Sequence, residues 1–376
     1  MQSHHQSDFF EEISSLEGVT LKVMYFDEVP IERTQLGWNS ECLSYYEEHL
    51  QESIQEIDIE NRFYDYIHIV SGYHDSRVKA LIERLVSSNI KWLYWSEKSG
   101  VGLAKHVRFN KLLQSILYYP YLYFKSYFRL ARIINRDALG ALSIGQAAFT
   151  DFTRWGVRPE NIRNQPYAVR TCNEPDAMVK LVYSNEPLVF GYVGELSDRK
   201  GTDILIRSFA LLINTREDIN ARLVLVGPDR THGSYAHLCD SLNIRDNVDF
   251  IGAVDSNLVQ GYYKKFSVFV LPSRFDGWGA VLNEAASYGL PLIATTQCGA
   301  SSDIIKPDSN GFIFDINGNV LENLSDLLER YVTNYNLVNK HSLSSIEISR
   351  GFKPKKLAEK LIHNLKELDC KHENPN

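Results

Sequence analysis

The chain has little of what marks secreted, disulfide-bonded or membrane-spanning proteins. It has five cysteines in 376 residues, and no Cys-x-x-Cys occurs, which favours free thiols in a reducing compartment. No run of about 18 apolar residues occurs, so no spanning helix is expected. The N-terminal MQSHHQSDFFEE is polar and acidic, which argues against a signal peptide. These absences together predict a cytoplasmic protein.

Length and composition indicate a folded protein of more than one domain. A chain of 376 residues is longer than one core usually organises, which predicts two domains. Hydrophobic residues at 44% and aromatic residues at 12% exclude a disordered chain. The net charge of −7 gives no argument for nucleic acid as a partner.

Residues 98–136 lack Asp and Glu altogether, although the rest of the chain carries −15. The stretch holds eight cations and seven clustered aromatics: Lys98, Lys105, Arg108, Lys111, Lys125, Arg129, Arg132, Arg136, and Tyr118, Tyr119, Tyr121, Tyr123, Phe124, Tyr127, Phe128. A basic, aromatic surface suits the interface of an anionic membrane, which we expect it to contact. The alternative is a solvated helix pair whose aromatic side chains belong to the core. No recognition motif for nucleic acid accompanies the charge.

Strand-like and helix-like segments alternate in both halves, which predicts two domains built on parallel sheets. The first half has predicted strands at 19–26, 64–71, 91–95 and 138–144, and predicted helices at 41–55, 76–88 and 146–155. The second half has predicted strands at 188–193, 222–226, 248–251, 268–271 and 291–294, and predicted helices at 203–213, 257–265 and 280–288. The polar stretch 171–187 contains two prolines and predicts the boundary, giving domains of 1–180 and 188–350. A last helix is predicted at 355–368, after Pro354.

The segment RFDGWGAVLNEAASYGLPLIATT, residues 274–296, places two carboxylates, Asp276 and Glu284, eight positions apart. It joins a predicted strand to a helix, and open α/β sheets bind ligands beyond the carboxyl ends of their strands. Glycines let backbone N–H groups approach a ligand, and a helix start favours phosphate. Glu284 could accept hydrogen bonds from a vicinal diol such as a ribose. Asp276 could accept hydrogen bonds from hydroxyls at the other end of the same ligand. The spacing predicts a site for a nucleotide joined to a sugar.

A second candidate element is GYVGELSDRKG, residues 191–201, in which a strand and a glycine turn lead to Arg199 and Lys200. Two cations at a helix start can neutralise a diphosphate, and Arg offers a bidentate fork. Such a pair is by itself commonly just solvated. The glycine loop across the same cleft favours an anion site.

At these motifs the sequence resembles a family 4 retaining glycosyltransferase of the GT-B fold, the glycosyltransferase group 1 type. The resemblance is strongest over residues 188–315. It is carried by GELSDRKG (194–201), LVLVGP (223–228), VDFIGAV (248–254), VFVLPSRFDGWGAVLNEAASYGLPLIAT (268–295), CGASSDII (298–305) and NGFIF (310–314). The segment SIGQAAFTDFTRWGVRPENIRNQPYAV (143–169) resembles the end of the family's first domain. The remaining N-terminal region matches the family only in its alternation of predicted strands and helices.

The resemblance implies two Rossmann-like domains facing each other across a cleft, the first binding the acceptor and the second the nucleotide-sugar donor. The last helix would pack back on the first domain. The resemblance implies that Lys200 and Arg199 hold the donor diphosphate, and that Gly277, Trp278 and Gly279 shape contacts to donor sugar and phosphate. It implies that Glu284 holds the ribose, Asp276 contacts the donor sugar, Val254 lies near the base and Gly194 belongs to the donor site. Glu97 occupies a loop that often carries an active-centre residue in the family. A helix-capping role is the alternative for Glu97.

Three departures from the family pattern stand out. Asp276 replaces the usual Glu and is one methylene shorter. Glu195 stands where the family often has Arg, and we expect it to point away from the diphosphate while Arg199 compensates. The glycine-rich loop that often follows the first strand is represented only by Gly37. His74, on a sheet-end loop of the first domain, is a candidate for binding the acceptor, and the alternative is a surface histidine. His106 is expected to be solvated.

The predicted reaction moves a sugar from a UDP- or GDP-sugar to an acceptor hydroxyl with retention of the anomeric configuration. No Asp-x-Asp occurs, and no obligatory metal or other cofactor is expected. The expected acceptor is lipid-linked or an oligosaccharide of bacterial surface polysaccharide, such as lipopolysaccharide O-antigen, capsule or exopolysaccharide. The protein would then be peripheral on the inner face of the cell membrane. The alternatives are a GT-B-fold sugar-nucleotide epimerase or hydrolase, and a non-catalytic sugar-nucleotide-binding subunit.

Overall fold

The computed structural model describes residues 6–29, 43–50, 58–99, 127–169, 186–215 and 219–373. Their strands form a two-stranded, a four-stranded and a six-stranded sheet, and every strand pair is parallel. The four-stranded sheet belongs to the first half and the six-stranded sheet to the second. The α/β expectation from the alternating segments is confirmed.

The first half is built on strands that pair as β1–β2 and β3–β4–β5–β6. The strands are β1 Val23–Tyr25, β2 Glu47–His49, β3 His68–Val70, β4 Trp92–Ser96, β5 Gly140–Ser143 and β6 Ile162–Asn164. The helices are α1 Ser7–Ser14, α2 Ile59–Arg62, α3 Ser76–Ser87, α4 Phe128–Asp137 and α5 Gly145–Arg154, with a 3₁₀ turn at Pro159–Asn161. In α3, Val78, Ile82 and Leu85 are buried at helical spacing, and the side chain of Asp75 caps its first turn.

The second half has the strand order β12–β11–β10–β7–β8–β9. The strands are β7 Leu188–Val193, β8 Ala221–Val226, β9 Val248–Gly252, β10 Val268–Leu271, β11 Leu292–Thr295 and β12 Gly311–Phe314. The helices are α6 Thr202–Thr215, α7 Ser234–Ser241, α8 Ser256–Tyr263, α9 Val281–Ser287, α10 Ser301–Ile304, α11 Val320–Val332 and α12 Tyr335–Ser349, with 3₁₀ turns at Arg245–Asn247 and Arg350–Phe352. This is the doubly wound order, which reverses direction between β7 and β10 and binds ligands at that point.

The final helix, α13 Pro354–Glu373, lies against the first half of the chain. One apolar cluster joins its buried side chains to α1, β4 and the β5 region: Leu357, Ala358, Leu361 and Leu368 with Phe9, Ile13, Leu93, Leu139 and Leu142. Buried amides add polar contacts, since Gln165 Nε2 donates to the carbonyl of Leu357 at 3.0 Å and Asn364 Nδ2 donates to Gln165 Oε1 at 3.0 Å. The chain therefore returns from the second sheet to the first before it ends.

Three segments of the first half differ from the sequence prediction, and the first is the strand predicted at 19–26, which is only Val23–Tyr25. The helix predicted at 41–55 is wrong in its described part, because Glu47–His49 is a strand paired with β1. The Glu47 carboxylate is buried and accepts hydrogen bonds from the Tyr25 hydroxyl at 2.5 Å and the Ser44 N–H at 3.0 Å. A distant partner on β1 thus holds a polar segment in extended form. The strand predicted at 64–71 is only His68–Val70, and Tyr64 is 54% exposed.

The basic stretch 98–136 is described only at residues 98–99 and 127–136. In α4, Phe128, Arg129, Arg132 and Arg136 are exposed, whereas Tyr127 is buried and stacks on Trp155 with ring centroids 4.1 Å apart. One of the seven aromatics is therefore a core residue. His106, and residues 171–185 of the predicted boundary, lie outside the described residues. Among the described helices, none is long and apolar enough to cross a bilayer.

Candidate functional site

The candidate site lies where the six-stranded sheet reverses direction, between the loops that follow β7 and β10. The two loops are joined by backbone hydrogen bonds, because the carbonyl of Arg199 accepts from the N–H groups of Arg274 at 2.9 Å and Phe275 at 3.3 Å. Arg199 also donates through Nη1 to the carbonyl of Phe275 at 3.3 Å. The predicted cationic and glycine loops are thus direct neighbours.

Lys200 and Asp276 form an ion pair between these loops. Lys200 Nζ lies 2.5 Å from Asp276 Oδ2, and the two side chains are only 16% and 12% exposed. The Asp276 backbone is fixed on its other side, because its N–H donates to the carbonyl of Gln297 at 3.2 Å and its carbonyl accepts from Gly299 at 3.1 Å. Removing one partner of a largely buried ion pair leaves the other charge without compensation, which costs free energy. Each of the two charges therefore holds the other in place.

The two glycines of the loop allow close approaches on opposite sides. A Cβ on Gly277 would lie 1.8 Å from Oε2 of Glu97, which belongs to the first half of the chain. Gly279 has a φ of +88°, and a Cβ there would lie 2.5 Å from Cys298 Sγ. Gly277 therefore brings the loop against the opposite domain, and Gly279 brings it against the turn that follows β11.

Trp278, between these glycines, packs across the cleft. Its side chain is buried, and its Nε1–H donates to Asn283 Oδ1 at 2.9 Å. Gly145 begins α5 with a φ of +82°, and a Cβ on it would lie 2.3 Å from Cζ3 of Trp278. The indole thus fills an interdomain contact that only glycine permits at position 145.

Glu97 follows β4 of the four-stranded sheet and approaches the loop of Asp276 and Gly277 from the first half of the chain. Its half-buried carboxylate is hydrogen-bonded to the hydroxyl of Tyr167, whose ring lies between Trp95 and Trp278. Burial raises the pKa of Glu97, with a further rise from Asp276 and opposing contributions from the Tyr167 hydrogen bond and from Lys200. Glu97, Asp276 and Lys200 therefore converge from three loops.

Two further contacts tie the domains together beside this cluster. Lys98 Nζ donates to the backbone carbonyl of Gln297 at 3.2 Å and to its side-chain oxygen at 3.3 Å, and burial lowers the pKa of Lys98. Asp303 Oδ2 accepts from the N–H of Gln146 at 2.9 Å in the first turn of α5. An acid from the second half thus caps a helix of the first.

Glu284 is the fourth residue of α9 and lies on the same loop–helix unit as Asp276. It is half-buried, and its Oε2 accepts a hydrogen bond from the hydroxyl of Tyr263 at 2.7 Å. Its placement in the first turn matches the sequence expectation. The tyrosine that holds it lies on α8, and no sequence motif had singled it out.

Three other predicted residues lie at neighbouring strand ends. Gly194 follows β7 with a φ of +144°, and its carbonyl oxygen would lie 1.9 Å from a Cβ on Gly227 after β8. Val254 lies two residues beyond β9 and is half-buried. Glu195 is paired with Arg230, whose Nε lies 3.2 Å from the carboxylate. The charge of Glu195 is therefore balanced by Arg230.

His74 is exposed, as expected for a surface histidine. Its Nε2 lies 2.6 Å from the hydroxyl of Tyr127, and the partial burial of its ring lowers its pKa. Within the described ranges, no group of three or more His, Cys, Asp or Glu is placed to hold a metal ion.

Sequence comparisons relate part of the chain to glycosyltransferases. Residues 173–344 match the family described as Glycosyl transferases group 1. An uncharacterized glycosyltransferase of Methanocaldococcus jannaschii is 32% identical over 130 residues, or 35% of this chain and 32% of that protein. The capsular polysaccharide biosynthesis glycosyltransferase CapM of Staphylococcus aureus is 29% identical over 131 residues, or 35% of this chain and 33% of that protein. The chain spans about a third to a half of the length of the first curated relatives it matches.

The comparison of structures concerns the fold. The crystal structure of HepE from Anabaena, in complex with UDP and glucose, aligns with a TM-score of 0.67 over 98% of each chain, at 15% identity. The structure of WaaG, a glycosyltransferase involved in lipopolysaccharide biosynthesis, aligns with a TM-score of 0.60 over 91% of this chain and 98% of that one, at 16% identity. With the doubly wound order of the six-stranded sheet, these structures place the chain on the GT-B fold, and residues 173–344 are similar to the group 1 glycosyltransferases.

Proposed function

We propose that this chain transfers a sugar from a nucleotide-sugar donor to an acceptor hydroxyl with retention of the anomeric configuration. The observation that carries the proposal is the meeting of Lys200, Asp276 and Glu97 where the strand order reverses, with Glu284 one helical turn further along. Ligands of doubly wound sheets bind at this point. A cation, a hydroxyl-binding acid and a ribose-binding acid are the groups that a nucleotide sugar requires.

Lys200 and Arg199 would hold the donor diphosphate. The Lys200 ammonium is fixed by Asp276, and Arg199 is fixed by the backbone of the β10 loop, so both cations are positioned before the reaction begins. Charge develops on the diphosphate as the bond to the sugar breaks, and preorganised cations stabilise that charge without reorganisation. Leaving-group stabilisation is therefore the main contribution that we assign to this pair.

Asp276 and Glu97 would face the sugar from the two domains. Asp276 would accept hydrogen bonds from donor-sugar hydroxyls, with Gly277, Trp278 and Gly279 shaping the loop around it. Glu97 lies directly against Gly277, so we assign it a contact with the reacting sugar or with the acceptor hydroxyl. Burial raises the pKa of Glu97, so its carboxylate takes up a proton more readily than that of an exposed glutamate.

Glu284 would accept hydrogen bonds from the ribose, and Val254 and Gly194 would lie near the nucleotide at the adjoining strand ends. The first domain would bind the acceptor. A UDP- or GDP-sugar is the proposed donor, and the UDP form is supported by HepE, which has the same fold and was crystallised with UDP and with UDP-glucose. No metal or cofactor is required in this proposal.

We also propose that the acceptor belongs to bacterial surface polysaccharide and that the protein acts at the inner face of the cell membrane. CapM is named for capsular polysaccharide biosynthesis, and a fold neighbour, WaaB, is named as a lipopolysaccharide outer core galactosyltransferase. The exposed face of α4 presents Phe128, Arg129, Arg132 and Arg136, a basic and aromatic set suited to anionic lipid. Co-sedimentation with phosphatidylglycerol vesicles but not with phosphatidylcholine vesicles is expected. Equal recovery in the supernatant with both would refute the membrane part.

The transfer reaction is tested by supplying UDP- and GDP-sugars with lipid-linked and oligosaccharide acceptors. Release of nucleoside diphosphate should depend on acceptor, and proton NMR of the product should show the anomeric configuration of the donor. An inverted product would refute retention.

Hydrolysis or epimerisation of the donor is the second candidate, favoured by the two carboxylates, Asp276 and Glu97, that meet in the cleft. It predicts free or epimerised sugar at the same rate with and without acceptor.

A further inference from the structure

A buried phenol lies directly behind the proposed ribose-binding carboxylate. Tyr263 is the last residue of α8 and is 1% exposed, and its hydroxyl donates to Glu284 Oε2 at 2.7 Å. The two residues come from different helices and are separated by strand β10. Their contact is therefore a product of the tertiary fold.

The ring of Tyr263 is held on several sides. It stacks on Tyr288 with centroids 5.4 Å apart and planes inclined by 16°, and it meets Phe266 edge-on at 6.1 Å and Phe269 at 5.8 Å. Burial, with the nearby charge of Glu284, raises the pKa of Tyr263 well above its ordinary value, so the phenol keeps its proton. A fixed, protonated donor thus meets one oxygen of the Glu284 carboxylate.

A carboxylate has about four lone-pair positions for hydrogen bonds. The phenol uses one on Oε2 and fixes the direction of the others. A vicinal diol needs two acceptor positions at a defined separation, so the orientation of the carboxylate decides whether both hydroxyls are bound.

We propose that Tyr263 is a positioning residue, which orients Glu284 for the 2′- and 3′-hydroxyls of the donor ribose. This inference rests on the proposed function. It adds the claim that the selectivity of the site for ribose over 2′-deoxyribose depends on a phenol that does not itself touch the nucleotide.

The test is calorimetric binding of UDP, GDP and their 2′-deoxy forms to the full chain, comparing wild type with Tyr263→Phe. The substitution keeps the ring and removes the hydroxyl. We expect the ribonucleotide to bind about 10-fold more weakly, as for loss of a hydrogen bond to a charged group, and the 2′-deoxy form to lose less. In a Glu284→Ala background, Tyr263→Phe should have no further effect, because coupled residues are not additive.

Tyr331→Phe is the matched control. Tyr331 is a buried phenol of the same domain, and its hydroxyl lies 2.8 Å from His341 Nδ1. Its loss should leave the ratio of ribo- to deoxyribonucleotide affinity unchanged. If Tyr263→Phe fails to fold, Tyr263→Met makes the same test, because a flexible thioether fills the apolar site without a hydroxyl and leaves Glu284 unchanged. The ribose selectivity should again fall.

Equal weakening of ribo- and deoxyribonucleotides by Tyr263→Phe would overturn the inference and indicate a merely structural role. Additive losses in the Glu284→Ala background would overturn it as well. Failure of wild type to bind any of the nucleotides would instead overturn the proposed function, and this inference with it.

Discussion

Replacing Gly277 by alanine would push the Glu97 carboxylate away from the glycine loop on the other side of the cleft. The added Cβ would lie 1.8 Å from Glu97 Oε2 and 3.0 Å from Glu97 Cδ. Real Cβ contacts essentially never fall below 3.0 Å, so the carboxylate oxygen must retreat by at least 1.2 Å. The obstacle is the end of a flexible side chain rather than backbone, so the fold should survive the substitution.

The expected consequence is a loss of turnover with donor binding retained. A misplacement of about 1 Å at a reacting centre costs about 100-fold in rate, which corresponds to about 2.7 kcal/mol. We expect kcat for acceptor-dependent release of nucleoside diphosphate to fall by about that factor. Binding of the nucleoside diphosphate should change by less than about threefold, because Lys200 keeps its ion pair with Asp276 and Glu284 keeps its hydrogen bond from Tyr263.

The matched control is Gly261→Ala on α8, where an added Cβ meets nothing within 4 Å. Its rate should be unchanged and its stability equal or higher, since alanine favours a helix over glycine by about 1 kcal/mol. Full activity of Gly277→Ala would refute the proposed role of Glu97. Parallel losses of turnover and nucleotide binding would show that the substitution damages the donor loop itself.

Three further predictions follow from the same cluster. Lys200→Met should lower kcat at saturating donor by about 10²- to 10³-fold, the scale of a lost transition-state contact, and a smaller loss in steady-state kinetics would argue against leaving-group stabilisation. Burial raises the pKa of Glu97 in the folded state, so ionising it destabilises the fold. This destabilisation is absent below the ordinary glutamate pKa of about 4.3, and it develops as the pH rises through the folded-state pKa. Glu97→Gln should therefore raise the melting temperature at pH 8 but not at pH 4, and equal shifts at both would contradict this. Gly145→Ala would place a Cβ 2.3 Å from Trp278 and should enlarge the radius of gyration in small-angle X-ray scattering, so an unchanged profile would show that the contact does not hold the domains together.

The features that the sequence predicted correctly are local in the chain. The parallel sheets followed from alternating apolar and amphipathic segments, and most strands of the second half were placed within a residue or two. Glycines and charged residues beyond strands 188–193 and 268–271 had to lie at one sheet edge, because parallel strands all end there. Lys200 and Asp276 could therefore be assigned to one site without coordinates.

The features that the sequence did not predict depend on partners far apart in the chain. The sequence indicated that Trp278 is a loop residue that shapes the ligand site, and only the structure shows that its ring packs against Gly145. Tyr263 lies in none of the sequence motifs, and nothing adjacent to it in the chain indicates that its hydroxyl meets the Glu284 carboxylate. Residues 47–49 lacked apolar alternation, since their strand pairing is supported by the Tyr25–Glu47 hydrogen bond.

The central claim, that a nucleotide sugar binds along the loop from Asp276 to Glu284, is tested most directly by calorimetry. UDP, GDP and ADP, with their common sugar conjugates, would be titrated into wild type and Glu284→Ala. The account predicts that one nucleotide binds wild type with 1:1 stoichiometry, and that the variant binds it at least about 10-fold more weakly. Equal affinity in the two proteins, or no binding of any nucleotide to wild type, would contradict it.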